Sequence, residues 1–262
     1  KINQAVIDTI AMDHCDWLGN TRDAVASEKA GIMRPGKPAV SGEPDPPETL
    51  AHTAALLGAN FYQVGSDFHR EEGPDSWSFN GMGQHWSALP YPQLPLDNAV
   101  TALAVCALLP IELSIAAIRQ GLVSARLAGR LQPLGEQPEV LVDVAHNPHS
   151  AAYLASQLAK RPVRGRTLAL CGMLRDKDIE HTLEVMAPHV DEWFLADLQG
   201  PRAAMAAELQ RFLPDMTSHC FDSVAAAYGA VLAEANPEDV VVVFGSFYTV
   251  ADVMALDLNK RI

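Results

Sequence analysis

The chain has 262 residues, 48% of them hydrophobic and 19% charged, with a formal net charge of −13. That length allows one large domain or two modest ones, and the apolar content gives a core rather than a disordered chain. The acidic balance excludes a broad basic face for nucleic acid, yet a local Arg, Lys or metal ion can still hold an anionic ligand.

In chain order, Ala5–Ala11 is apolar and β-branched and reads as a buried strand that enters mid-domain. Residues 21–32 read as a helix carrying Lys29. Pro35-Gly36-Lys37-Pro38 is a turn into a short strand at 39–41, and the Pro- and acid-rich stretch 42–48 is a loop. Residues 61–87 alternate aromatics with Gly, Asp and Asn, which predicts short antiparallel strands. Residues 96–109 carry Ala and Leu on most faces and predict a buried helix, stopped by Pro110, and a second helix follows over 111–122.

The second half changes character. VLVDV (140–144), TLALC (167–171), residues 193–196 and VVVVF (240–244) are apolar runs of strand length. Helical segments near 150–159, 179–187, 203–212 and 223–234 separate them. Strands apolar on both faces and alternating with helices predict a doubly wound, mostly parallel sheet, with the boundary near residues 128–130. Cys15, Cys106, Cys171 and Cys220 form no CxxC pair and no zinc or disulfide framework, which suits a reducing, cytoplasmic setting. No run of about 18 apolar residues predicts a membrane span, and the first residues carry no signal-peptide pattern.

Four motifs carry chemistry. Met12-Asp13-His14 follows the first strand, where His14 either binds a metal or phosphate or merely caps a strand end. Lys29, in Glu28-Lys29-Ala30-Gly31-Ile32, is either half of a surface Glu–Lys pair or a lysine whose carbamate gives Mg²⁺ hard oxygen donors. Asp143-Val144-Ala145-His146-Asn147-Pro148-His149 places three polar side chains after a parallel-type strand, more than a capping loop needs. There Asp143 can accept from a ribose or an amine, and His146 can orient or deprotonate a nucleophile. Ser246, after Gly245, lies at a helix N-terminus, an anion site or a simple cap. The charged run Arg175-Asp176-Lys177-Asp178 is a solvated loop or a cleft wall, and His52, His69, His85, His181, His189 and His219 read as structural.

Taken together, MDHCDWLG, SEKAGI, LDNAVTAL, AGRLQ, VDVAHNPH, GMLRDKD and GSFYTVADVM, in this order, resemble the bifunctional dihydrofolate synthase / folylpolyglutamate synthase family, relatives of the Mur ligases. The resemblance covers nearly the whole chain. It implies that residues 1–128 are the C-terminal remainder of a P-loop, Mur ligase-like ATP-binding domain and residues 129–262 a Rossmann-like glutamate-ligase domain. It implies an ATP-dependent ligase that joins L-glutamate to dihydropteroate, or to the γ-carboxylate of a reduced folate, through an acyl phosphate. ATP and Mg²⁺ are the implied cofactors, and a cytoplasmic monomer is implied. By the same resemblance His14 is a Mg²⁺ ligand and Lys29 is catalytic as a carboxylated metal-supporting lysine. Asn98, Arg130 and Asp143 serve the nucleotide, His146 is catalytic and near glutamate, and Ser246 lines the substrate site. The family's GTNGKGT-type phosphate loop does not occur here; Gly36-Lys37 runs into Pro38. These residues alone are therefore expected to be inactive, which keeps a non-catalytic remnant or interaction module as an alternative, beside a Mur-type UDP-muramoyl peptide ligase.

Overall fold

The computed structural model describes residues 4–10, 21–161 and 165–260. The chain divides into two compact units, Lys1–Arg126 and Leu127–Ile262.

In the first unit, β1 (Ala5–Ile7), β2 (Pro38–Ser41) and β3 (Asn60–Gln63) form a parallel sheet in that order. α1 (Arg22–Ala30) and α2 (Glu48–Leu57) pack on it. Thr21 starts α1 by accepting the Ala24 N–H at 3.1 Å, as an N-cap threonine does. Val25, Ala26 and Ala30 of α1 then bury against Ala5, Ile7, Ala39 and Leu50. The antiparallel meander β4 (Phe68–Glu72), β5 (Trp77–Gly81) and β6 (Gln84–Leu89) presents Phe68, Trp77, Phe79 and Leu89 to α3 (Leu96–Ala107) and α4 (Ile115–Ser124).

Several expectations need correction here. The first strand ends at Ile7, short of Ala11, among the described residues. The segment at 60–63 is parallel to β2 rather than part of the antiparallel set. α3 buries only Val100, Thr101, Leu103 and Ala104. Its Ala99, Ala102 and Cys106 instead line an apolar cavity of about 440 Å³ shared with α4. α4 starts at Ile115, because Ser114 accepts the Ala117 N–H at 3.2 Å and caps it there.

The second unit is a six-stranded sheet: β7 (Gln132–Glu136), β8 (Glu139–Val142), β9 (Thr167–Cys171), β10 (Glu192–Ala196), β11 (Ser218–Phe221) and β12 (Val240–Phe244). The spatial order is β11-β10-β9-β12-β8-β7, parallel except for β7 at the edge. α5 (Pro148–Ala159), α6 (Ile179–Met186) and α7 (Ala206–Gln210) cover one face, where Leu154, Leu158, Leu183 and Leu209 meet Leu141, Trp193, Val242 and Phe244. α8 (Val224–Glu234) and α9 (Phe247–Lys260) cover the other, where Tyr228, Val231, Val250 and Val253 meet Val142, Leu168, Val241 and Val243. Alternation along VVVVF thus feeds both cores, as expected for a central parallel strand. The helix expected over 203–212 shrinks to Ala206–Gln210. Edge strands β7 and β11 were not anticipated. No helix of the described residues is long and apolar enough to cross a membrane.

Candidate functional site

β12 lies between β8 and β9, yet α9 leaves it for the face opposite to α5 and α6. Helices that diverge from adjacent parallel strands open a crevice at the strands' carboxyl ends, the usual ligand position in such sheets. The two loops that meet there carry Asp143–Asn147 and Gly245–Ser246.

Asp143 is 4% exposed. Its Oδ2 accepts the Leu131 N–H at 2.9 Å and its Oδ1 accepts the Ala145 N–H at 2.8 Å. One carboxylate therefore straps the residue after Arg130 to the residue before His146. Burial raises the Asp143 carboxyl above the ordinary carboxylate range, against the opposing pull of those two amides and of Arg130 and His146. Leu131 itself has a left-handed backbone, φ 43°, which the strap holds in place at a cost of about 1–3 kcal/mol.

His146 Nδ1 lies 2.8 Å from the Val144 carbonyl. A carbonyl only accepts, so Nδ1 carries a proton and donates it to Val144. Asn147 caps α5: its Oδ1 accepts the Ser150 N–H at 2.9 Å, Ser150 Oγ reciprocates, and Pro148 occupies the first turn. Ser246, 3% exposed, accepts the Tyr248 N–H through Oγ at 3.2 Å. The cap reading is thus realised, at the start of α9. Phe247 follows, with the Arg130 guanidinium carbon 5.8 Å from its ring centroid and the His146 ring 6.0 Å away. Gly245 (φ 108°) allows all this: an added Cβ would sit 2.6 Å from the Gly172 carbonyl oxygen.

Beside this crevice, after β9, Arg175 pairs with Glu208, and Arg202 pairs with Asp176. Arg175 and Glu208 border a polar pocket of about 380 Å³ that also includes Lys177, Asp178 and Arg211. The Arg202 hydrogen bond lowers the Asp176 carboxyl. His181 pairs with Asp178 and His219 with Glu192.

In the first unit, Lys29 Nζ donates to the Thr9 carbonyl at 2.9 Å, beyond the end of β1. Nearby, Glu43 (7% exposed) accepts the Ile10 N–H at 2.6 Å and an Arg22 N–H at 3.2 Å. Arg22 also donates to Asp45 Oδ2 at 2.9 Å and to the Asp45 carbonyl. Lys29, Glu43 and Arg22 therefore grip residues 9–10, the approach to Met12-Asp13-His14. That motif, with His14, lies outside the described residues. Among the described residues no group of three or more His, Cys, Asp or Glu is placed to hold a metal. Asn98 is exposed in the first turn of α3 and borders the apolar cavity. Cys106 also faces the cavity, where burial raises its thiol and favours the unreactive protonated form.

Of the residues singled out in the sequence, the structure gathers Arg130, Asp143, His146 and Ser246 in the second unit; Lys29 and Asn98 belong to the first. Sequence reasoning missed Phe247, Glu43 and Arg22. The exposed aromatic directly after Ser246 was the one available signal.

Residues 129–247 match the family described as Mur ligase, glutamate ligase domain. The dihydrofolate synthase/folylpolyglutamate synthase of Escherichia coli K12 is 46% identical over 257 residues, 98% of this chain and 60% of that protein. That of Haemophilus influenzae is 37% identical, over 96% of this chain and 63% of its own length. Among solved structures, the E. coli protein in complex with DHPP and ADP superposes with a TM-score of 0.95 at 44% identity, over 99% of this chain and 62% of the other. A bifunctional folylpolyglutamate synthase/dihydrofolate synthase with Mn, AMPPNP and L-glutamate bound gives 0.91 at 45%, covering 97% and 61%. A Mycobacterium tuberculosis folylpolyglutamate synthase with ADP gives 0.83 at 28%, covering 97% and 63%. The chain thus spans about three fifths of the relatives it matches.

Proposed function

This chain is a homologue of the dihydrofolate synthase/folylpolyglutamate synthases along about 60% of their length, and from that we propose that the protein carrying it is an ATP-dependent ligase that adds L-glutamate to dihydropteroate, to reduced folates, or to both. The observation that carries the reading is the 46% identity over 98% of the chain, together with Arg130, Asp143 and His146 gathered at the carboxyl end of β8. ATP supplies an activated acyl phosphate from the acceptor carboxylate. Arg130 offers a planar fork of donors suited to phosphate oxygens, with Asn98 and Asp143 serving the nucleotide. Asp143 does so at least through its backbone strap, which ties the residue after Arg130 to the residue before His146.

His146, oriented by the Nδ1 contact to the Val144 carbonyl, is the side chain placed to exchange a proton with the incoming glutamate amine. Ser246 lines the same crevice. His14 and carboxylated Lys29 would hold Mg²⁺. In support, the half-buried Lys29 amine reaches the Thr9 carbonyl just beyond the end of β1. In this reading residues 1–128 are part of the ATP-binding domain and residues 129–262 the glutamate-ligase domain of a cytoplasmic monomer.

The test is ATP-dependent incorporation of labelled glutamate into dihydropteroate by the complete reading frame that encodes this chain. Transfer of an amino acid to a UDP-muramoyl acceptor instead would move the protein to the Mur peptide ligases, and no transfer to either acceptor would leave the interaction-module reading.

A further inference from the structure

Phe247 is 59% exposed, so burial does not explain a large aromatic at the first position of α9. What it does touch is informative. The Arg130 guanidinium carbon lies 5.8 Å from the ring centroid and the His146 ring 6.0 Å from it, tilted by 48°. We infer that Phe247 is a positioning residue whose single ring sets the side chains of both Arg130 and His146. The inference rests on the reading that Arg130 meets the nucleotide and His146 the glutamate.

The backbone around all three residues is already fixed. Asp143 ties Leu131, next to Arg130, to Ala145, next to His146. Phe247 stands between Ser246, which accepts the Tyr248 and Val250 amides, and Thr249, whose hydroxyl donates to the Gly172 carbonyl at 2.8 Å. With both backbones pinned, the open question for Arg130 is its long side chain. Asp143, the nearby opposite charge, accepts one backbone amide on each oxygen and attracts Arg130 at longer range, without a hydrogen bond to it. The ring of Phe247 lies against the guanidinium, 5.8 Å from its carbon to the centroid. A planar cation is held over an aromatic face by the ring quadrupole while its N–H edges stay available to a phosphate. His146 has its Nδ1 fixed by Val144, and the same ring bounds the space into which the imidazole can turn. The aromatic therefore links the nucleotide-facing and glutamate-facing groups through one side chain.

The test uses Phe247→Leu, which removes the ring and keeps an apolar side chain, and Phe247→Tyr, which keeps the ring. In the 262-residue chain, the ¹⁵N–¹H NOE of Arg130 Nε–H reports order at the guanidinium, and the Cε1–H shift of His146 reports its surroundings. The expected result is loss of the Arg130 NOE and a moved His146 resonance in the Leu variant, both retained in the Tyr variant, with the thermal midpoint unchanged. In the complete reading frame, Phe247→Leu should raise KM for ATP by about two- to fivefold and add nothing in an Arg130→Ala background. An Arg130 NOE in the Leu variant equal to the wild type overturns the positioning role. An ordered-to-disordered change at Arg130, combined with an Arg130→Ala variant of unchanged KM, keeps the positioning role and removes Arg130 from the nucleotide site.

Discussion

Replacing Asp143 by alanine removes the acceptor for two backbone amides, the part-buried one of Leu131 and the buried one of Ala145. Each unmet buried donor costs about 1–3 kcal/mol, a gross loss of about 2–6 kcal/mol. Against this stands the relief of a carboxylate whose burial is itself unfavourable, which brings the net loss to about 1–4 kcal/mol. Asparagine keeps one carbonyl acceptor but turns an NH2 toward the other amide, so its loss is about 1–3 kcal/mol. Amide hydrogen exchange of Leu131 and Ala145 reads this locally. Both should speed up by about tenfold per 1.4 kcal/mol in the alanine variant, and by less in the asparagine variant at whichever amide the carbonyl still serves. The pH dependence has a definite sign. A raised folded-state pKa means the folded chain binds the proton more tightly than the unfolded chain. The stability this contributes is complete below the unfolded carboxylate value of about 3.9 and is lost as pH rises through the folded value. The non-titrating asparagine variant should therefore gain on the wild type as pH rises from about 4 toward neutrality. Unchanged exchange at both amides, or an opposite pH trend, would refute the strap.

Three further outcomes follow from single positions. Gly245→Ala places a methyl 2.6 Å from the Gly172 carbonyl oxygen at φ 108°; thermal unfolding should show a midpoint lower by about 2–10 °C. Gly121→Ala, inside α4 with nothing within 4 Å of the added carbon, should raise the midpoint by a few degrees, because helix propensity favours Ala by about 0.8–1 kcal/mol; a drop would mean that the apolar cavity it borders needs the space. Lys29→Met removes the Thr9 contact and, with the lysine supporting a metal, should raise the Mg²⁺ concentration for half-maximal ligation by the complete protein by about tenfold or more. A magnesium titration identical to the wild type would retire that role.

Much of the second unit was legible because its strands are unusual. TLALC and VVVVF are apolar on both faces, and the structure places them side by side in the centre of the sheet with the expected ends. β7, with Pro133 and Gly135, and β11, with the half-exposed Ser218-His219-Cys220-Phe221, are edge strands. Their partner supplies the order that their own sequence lacks. In the first unit, aromatic alternation suggested antiparallel strands, but β3 obeys its neighbour β2; pairing direction is not written in a four-residue run. The candidate site was legible as residue types and not as geometry. Asp143 looked like a ligand contact, yet its oxygens reach a backbone amide twelve residues earlier, a distance no local motif encodes. Asn147, one of three polar residues after β8, turned out to be a helix cap. Glu43 and Arg22 escaped notice because their partners are backbone atoms of residue 10.

The strand order has a consequence for synthesis. β12 is the last strand in the described chain and fills the gap between β8 and β9. Until it emerges from the ribosome, the sheet exists as a β7–β8 hairpin and a separate β9–β10–β11 group, with Leu141, Val142, Leu168 and Leu170 lacking the neighbours that bury them. The nascent second unit must therefore wait, with apolar strand edges exposed, for nearly its whole length. A ribosome that stalls before residue 240 leaves a chain with two edges inviting a stranger's strand, while completion closes both at once.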